Sequence, residues 1–553
     1  MRVSSFLLPV LVALAASGAA AQSVTPDCAA KLIKQAGMYP GTQGSYYYMD
    51  ELSGQWMGQP WTQTLKAAPS FGQVAAALKA RGTTLVLAPV PARSILPGAA
   101  LDPQVPAEAA FDVAGGRAFY HALVRELNAA GVPAADLLDT ALAQNSFPKD
   151  IHWLPRGARL AADAVATLVK RQPVYAALPR QDFVTLDVGD AVRLTVNQPV
   201  IAKAKDLCGE TLAPDSFQSD VTVPDTDLPA AAGNFGDSEN GKQRWAYGPS
   251  AAVSFFLKAA GPVTITLKAY NLIEGQQVDL SVNGAATDSL KNLAKGAQIS
   301  KTYTVNAVAG ANRLDFRVAA WNGHNSAFAP GDIRPLGLPI TTLTVSDGKN
   351  TADLIALPSD SSGLLGPAEH PVVLVGASYS LPVLNFDGAL RDRLKTDLLN
   401  VAYGAAGVFN SLKDYLRDPQ FQANPPKLLI WEFPVLGGDS TTDADFRDVL
   451  AAVQGPCAPA QALKGAGSAG GMDVPASAVQ AGARVHVTAD DKSVQSVTLT
   501  AGTQAPVTLV NSSRMVHQGE FYSTLSAPAG TPLHLAWPTS TTGTVQVEVC
   551  AGR

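Results

Sequence analysis

Two hydrophobic rhythms alternate along this chain, and their order divides it. From about residue 70 to 172, apolar positions at helical spacing alternate with short apolar runs. The spacing predicts helices over Val74–Ala80, Gly115–Ala130 and Arg156–Lys170, with strands at Thr83–Val90 and Asp136–Asp139. The rhythm returns over 371–454, with strands at Val372–Val375, Leu398–Ala402 and Leu428–Phe433 and helices between and after them. Apolar strands alternating with helices predict an α/β domain whose parallel sheet is covered on both faces.

Between these halves the period drops to two. Residues 215–345 hold short alternating strands such as Val263–Tyr270 and Gln277–Val282, the latter running into the hairpin signal Asn283-Gly284. They predict a β-sandwich, jelly-roll-like, inserted into the α/β domain. Because the termini of compact domains often lie close together, such an insertion leaves the host sheet intact. A Gly/Ala/Ser-rich stretch, Lys464–Met472, reads as a linker, after which residues 480–553 return to period two. The expected organisation is a targeting segment (1–21), a host domain in two halves (22–210 and 346–455), the insert (215–345) and a C-terminal β-sandwich (456–553).

Composition narrows the function classes. A net charge of -5 shows no basic excess, which argues against nucleic acid as a partner. Low charged content (16%) with 47 Gly and 39 Pro suits a turn-rich secreted protein. Arg2, the apolar run Phe6–Ala16 and the small residues Ala19-Ala20-Ala21 predict a secretory signal, with a retained membrane anchor as the alternative. No later segment approaches about 18 uninterrupted apolar residues, so the mature protein is expected to be soluble, periplasmic or secreted. The four cysteines suit an oxidising compartment. Expected disulfides are Cys28–Cys208 and Cys457–Cys550, because each pair brackets one structural unit. Their spacing and the lack of a histidine cluster speak against a metal site. No phosphate-cradling glycine loop is present, and no cofactor is expected.

Two strings carry the candidate chemistry: Asp150-Ile-His152-Trp153 and Gly376-Ala377-Ser378-Tyr379-Ser380. A serine becomes a useful nucleophile when a histidine takes its proton and a carboxylate orients that histidine. Taken singly, Asp150 also reads as a turn carboxylate, His152 as a surface or capping residue, and Ser378 or Ser380 as a helix cap. Ser378, however, directly follows the strand Val372–Val375, at the edge where open parallel sheets bind their ligands.

These residues resemble the alginate O-acetyltransferase group of SGNH-hydrolase-like proteins, the AlgX and AlgJ types. The resemblance rests on Asp150-x-His152-Trp153-x-Pro155-x-Gly157-Ala158-Arg159 and on Val373-Leu374-Val375-Gly376-x-Ser378-Tyr379-Ser380. A third stretch, Pro425-Pro426-Lys427-Leu428-Leu429-Ile430-Trp431-Glu432-Phe433-Pro434 preceded by Tyr415-Leu416, also looks like the family. It covers about residues 25–210 and 365–455, and the cysteine positions fit it too. It implies an SGNH-hydrolase-like, flavodoxin-like parallel sheet with Ser378 as nucleophile, His152 as general base and Asp150 as its orienting carboxylate. The implied reaction is O-acetylation of an exopolysaccharide, alginate-like, with a membrane-bound O-acyltransferase as the donor system. Ala377 stands where the family usually has Thr, the segment Phe433-Pro434-Val435-Leu436 lacks the charge expected there, and the long β insertion is not typical of AlgX.

The backbone N–H of Ser378 is one candidate oxyanion donor. The turn Gly404-Ala-Ala-Gly407 is another, or an ordinary tight turn. The resemblance implies a carbohydrate-binding-like C-terminal domain. Arg514 and Tyr522 there read as candidate ligand residues or as framework. Trp321, on a loop of the insert, reads as a sugar-stacking platform or as core. Two alternatives stand beside the transferase: a secreted carbohydrate acetylesterase with the same triad, and a non-catalytic polysaccharide-binding or export protein.

Overall fold

Four parallel strands form the sheet at the centre of the host domain, and they come from both halves of the chain. The computed structural model describes residues 24–550 apart from 58, 104, 106–111, 144–145, 148–150, 193–197, 213–215, 237, 240, 333, 356–369, 437–442 and 456–460. Residues 1–21, expected to be a targeting segment, and Asp150 and Cys457 therefore lie outside the described residues. In chain order the host elements are α1 (Ala68–Ala80), β1 (Thr84–Val90), α2 (Val113–Ala129), α3 (Pro155–Lys170), β2 (Val372–Val375), α4 (Phe386–Leu394), β3 (Leu399–Asn400), α5 (Asn410–Arg417), β4 (Leu428–Pro434) and α6 (Asp443–Gln454).

The sheet order is β3-β2-β4-β1, every pair parallel. The chain leaves β2 for its neighbour on one side and then crosses to its neighbour on the other. The carboxyl end of β2 is thus a topological switch point, the usual ligand position in open α/β sheets. Strands β2 and β4 are buried almost throughout, which explains their continuous apolar sequence. Along β4, Trp431 and Phe433 pack with Phe71 of α1, and Phe71 and Trp431 also meet Phe409. Alternation along a strand turns the intervening Glu432 to the opposite face.

Three sequence expectations change. Asp136–Asp139 is not a strand: the sheet gains a single parallel bridge there, Ala134 to Leu87. The Asp136 carboxylate accepts the N–H groups of Leu138 and Asp139 and bends the chain away. The strand expected at Leu398–Ala402 shortens to Leu399–Asn400, because the Asn400 side chain captures the Ala402 N–H. The stretch Lys464–Met472 is not a linker either, since strands Gln461–Ala466 and Gly471–Val474 pair with Thr544–Cys550 and Leu533–Ala536. Its small residues answer to close packing: a Cβ on Gly467 would lie 2.7 Å from the Thr541 carbonyl oxygen, and one on Gly471 2.6 Å from that of Leu535.

The insert is a sandwich of two antiparallel sheets whose strands run from Ala230 to Asp353. Asn283 and Gly284 make the predicted turn, both at positive φ. A long hairpin, Phe183–Val192 with Ser216–Pro224, joins insert to host, and Asn385 of the host donates to Asp220 on it at 2.6 Å. The C-terminal sandwich has two four-stranded antiparallel sheets and packs against α6. Cys28 and Cys208 are bonded, tying helix Pro26–Ala36 to helix Gln198–Cys208. Cys550 is also disulfide-bonded, and its expected partner Cys457 lies outside the described residues.

Candidate active site

After Val375 the chain leaves the sheet in extended conformation at Ala377 and tightens into a single 3-10 turn, Ser378–Ser380. This lifts Ser378 above the carboxyl end of β2. The loop entering α3 approaches from the other half of the host domain. Pro155 occupies the first turn of α3, where its missing N–H costs nothing. Gly157 permits close contact, since a Cβ there would sit 2.8 Å from the Ser146 carbonyl oxygen.

The two loops meet at His152 and Ser378. His152 Nε2 lies 2.7 Å from Ser378 Oγ across 226 residues of sequence. Trp153 fixes this approach: its indole N–H donates to the Tyr379 carbonyl at 2.9 Å, and its ring packs edge-on against Tyr379. Tyr379 also lies beside the His152 ring, centroids 5.3 Å apart. Trp153 and Tyr379 are buried, whereas His152 and Ser378 are half-buried and open to a reactant. A hydroxyl within hydrogen-bond reach of an imidazole nitrogen is the arrangement that lets the oxygen attack as the proton leaves. Asp150, expected to orient His152, lies outside the described residues.

A second carboxyl group underlies this turn, and the sequence reading passed over it. Glu432 of β4 is fully buried, and its Oε2 accepts the Ala377 N–H at 2.8 Å and the Ser380 hydroxyl at 2.9 Å. Burial pushes its pKa up to about 7, opposed by those donors and by His152. The available signal was a lone acid inside the apolar run Leu428–Pro434, because a buried acid requires donors.

The other candidate residues fall in three places. Gly404 and Gly407 lie on the turn after β3, with Ala405 and Gly407 both at φ 59°. The Arg514 guanidinium reaches this turn from the C-terminal sandwich and donates to the Gly404 carbonyl at 3.0 Å. Tyr522 is buried, its hydroxyl donating to Glu520 at 2.7 Å and its ring stacked on His486, so it belongs to the framework of the C-terminal sheet rather than to a surface a glycan reaches. Trp321 stays within the insert, where its ring stacks on His324 with centroids 4.1 Å apart. It also presses on Gly248, where a Cβ would come 2.3 Å from the ring. Among the described residues, His121, Asp136 and Asp139 form a cluster of metal-ligating types. There Asp136 faces Nδ1 of the imidazole at 2.8 Å and Asp139 faces Nε2 at 3.7 Å, so the ring lies between two carboxylates.

A family model described as an SGNH hydrolase-like domain, acetyltransferase AlgX, matches residues 58–242 and 332–435. The alginate biosynthesis protein AlgX of Azotobacter vinelandii is 39% identical over 95 residues, which is 17% of this chain and 20% of that protein. The probable alginate O-acetylase AlgJ of Pseudomonas aeruginosa is 44% identical over 73 residues, 13% of this chain and 19% of that protein. The match thus spans about a fifth of the length of these relatives. The solved structure of Pseudomonas aeruginosa AlgX aligns over 93% of this chain and 94% of its own with a TM-score of 0.56 at 18% identity, a likeness of fold. Among the described residues no helix is long and apolar enough to cross a membrane.

Proposed function

This chain belongs to the AlgX family of SGNH hydrolase-like acetyltransferase domains, and on that premise we propose that it transfers acetyl groups to hydroxyls of an alginate-like exopolysaccharide through an acetyl-serine at Ser378. The observation that carries the reading is the 2.7 Å approach of His152 Nε2 to Ser378 Oγ at the switch point of the sheet. As Ser378 Oγ forms its bond to the acetyl carbonyl carbon, His152 takes the hydroxyl proton, and Asp150 holds the imidazole and offsets its new charge. The tetrahedral oxyanion takes hydrogen bonds from the Ser378 N–H and from the Gly404–Gly407 turn. The ester C–O bond then breaks and His152 returns the proton to the leaving oxygen. An acceptor hydroxyl repeats the sequence in reverse, leaving the acetyl group on the sugar and the proton on Ser378.

The reaction takes place in the periplasm or outside the cell, with a membrane-bound O-acyltransferase supplying acetyl groups. Arg514, beside the Gly404 turn, is suited to a uronate carboxylate. Ser378→Ala should abolish turnover of a chromogenic acetyl ester while leaving retention on an alginate affinity gel unchanged; undiminished turnover would overturn the assignment. The half-buried serine also favours a second reading, a carbohydrate acetylesterase in which water replaces the sugar hydroxyl. Acetate release measured with and without polymer separates the two, since a transferase diverts acetyl groups from water to the polymer and an esterase does not.

A further inference from the structure

The proposed mechanism leaves one buried acid at the site without a role. We propose that Glu432 is a positioning residue for the acyl-serine chemistry, its carboxylate holding the nucleophile turn from beneath so that Ser378 stays in line with His152; this rests on the reading of Ser378 as nucleophile.

The turn is built around this carboxyl. Its Oε2 takes a donor from each side of the nucleophile, Ala377 N–H before it and Ser380 O–H after it. Gly376 makes room for it: a Cβ there would lie 2.5 Å from Glu432 Oε2 and 2.9 Å from Ser380 Oγ. The other oxygen, Oε1, is buried with no hydrogen-bond partner among the described residues.

A glutamine oxygen would accept the same two donors at a lower desolvation cost than a carboxylate. What the carboxylate adds is charge, and the group placed to feel it is His152, which becomes cationic as Ser378 attacks. Of the elements around Glu432, β1 places Ala88 opposite it, the nucleophile turn offers Gly376, Ala377 and Ser380, and the α3 loop offers His152. The His152 charge favours the ionised form of Glu432. Its ionisation near neutral pH, set by burial against these donors, makes the turn's grip depend on pH in the working range.

The test is the rate at which an aryl fluorophosphonate labels Ser378, followed from about pH 5 to 9 in the full-length protein and two variants. Glu432→Gln keeps an acceptor for both donors but cannot ionise. Its plateau should fall roughly tenfold and its profile should lose the rising limb set by Glu432 ionisation. Ser380→Ala removes a donor to the charged form, raises the Glu432 pKa and should move the limb to higher pH. Loss of that limb in Glu432→Gln together with its shift to higher pH in Ser380→Ala supports the proposal. Profiles that superimpose on wild type, a Glu432→Gln profile that keeps the limb, or a Ser380→Ala limb that moves to lower pH overturn it. If Glu432→Gln does not fold, the direction of the Ser380→Ala shift decides. Absence of labelling at Ser378 in wild type would instead overturn the nucleophile reading.

Discussion

Trp153 shows how one side chain joins two distant motifs. It follows the candidate base directly, and its N–H closes on the carbonyl of the residue after the candidate nucleophile. Trp153→Phe retains the packing against Tyr379 and Phe386 but removes this donor. Loss of a buried hydrogen bond costs about 1–3 kcal/mol, so the variant should remain folded in thermal melts while turnover drops several-fold through a lower kcat. Equal kcat in the two proteins would show that the hydrogen bond does not set the register of the site. At this scale the two strings that meet were legible, because His152-Trp153 and Ser378-Tyr379 are both contiguous beside predicted elements. Glu432 was not, since the helical and strand patterns treat β4 as one apolar run and give no account of the opposite face. For Tyr522 the sequence left ligand and framework open, because its burial depends on strands far away in sequence.

At the scale of elements, the helices that cover the sheet also dock the C-terminal sandwich. Lys413 and Arg417 of α5 are buried beside the buried Asp448 and the half-buried Asp445 of α6. Lys413 meets Asp445 at 2.6 Å, and Arg417 grips both oxygens of Asp448 at 2.7 and 2.8 Å. The same cations reach into the sandwich, Lys413 to the Val510 carbonyl and Arg417 to the Asn511 side chain. Removing one partner of a buried ion pair strands the other charge. Asp448→Ala should therefore lose about 3–5 kcal/mol of stability in urea titration, with a loss below about 1 kcal/mol contradicting this role. These contacts were invisible in the sequence, where α5 and α6 read as ordinary amphipathic helices. The Gly-rich stretch before the C-terminal strands was misread for a related reason: small residues marked close strand packing, and composition alone does not separate that from flexibility.

For the molecule as a whole, the order of folding units was largely legible and their joints were not. The change from helical to two-residue period located the insert, but the hairpin Phe183–Val192 with Ser216–Pro224 spans its expected border, because pairing joins segments that local pattern treats separately. The joint between the host and the C-terminal sandwich also carries a pH signature. Burial pushes Glu520 up, but hydrogen bonds from His486, His517 and Tyr522 outweigh it and hold the carboxyl well below its ordinary 4.5. Glu520 thus adds stability above pH 4.5 that is lost as pH falls through its folded value. His517, raised by its bond to Glu520, adds stability that is complete below its ordinary 6.5 and lost as pH rises through its folded value. The two overlap between pH 4.5 and 6.5, where the melting temperature contributed by this cluster should peak. Glu520→Gln should flatten that maximum, and an unchanged profile would remove the cluster from the account.

On the proposed function, Ser378 and His152, brought together from two halves of an interrupted sheet, form one acyl-transfer site. Intact-mass and peptide spectrometry after brief exposure to an acetyl ester tests it most directly. A single acetyl group is expected on the peptide containing Ser378, formed in wild type, slowed at least about a hundredfold by His152→Ala and absent from Ser378→Ala. Acetylation elsewhere, or at an equal rate in Ser378→Ala, would contradict it.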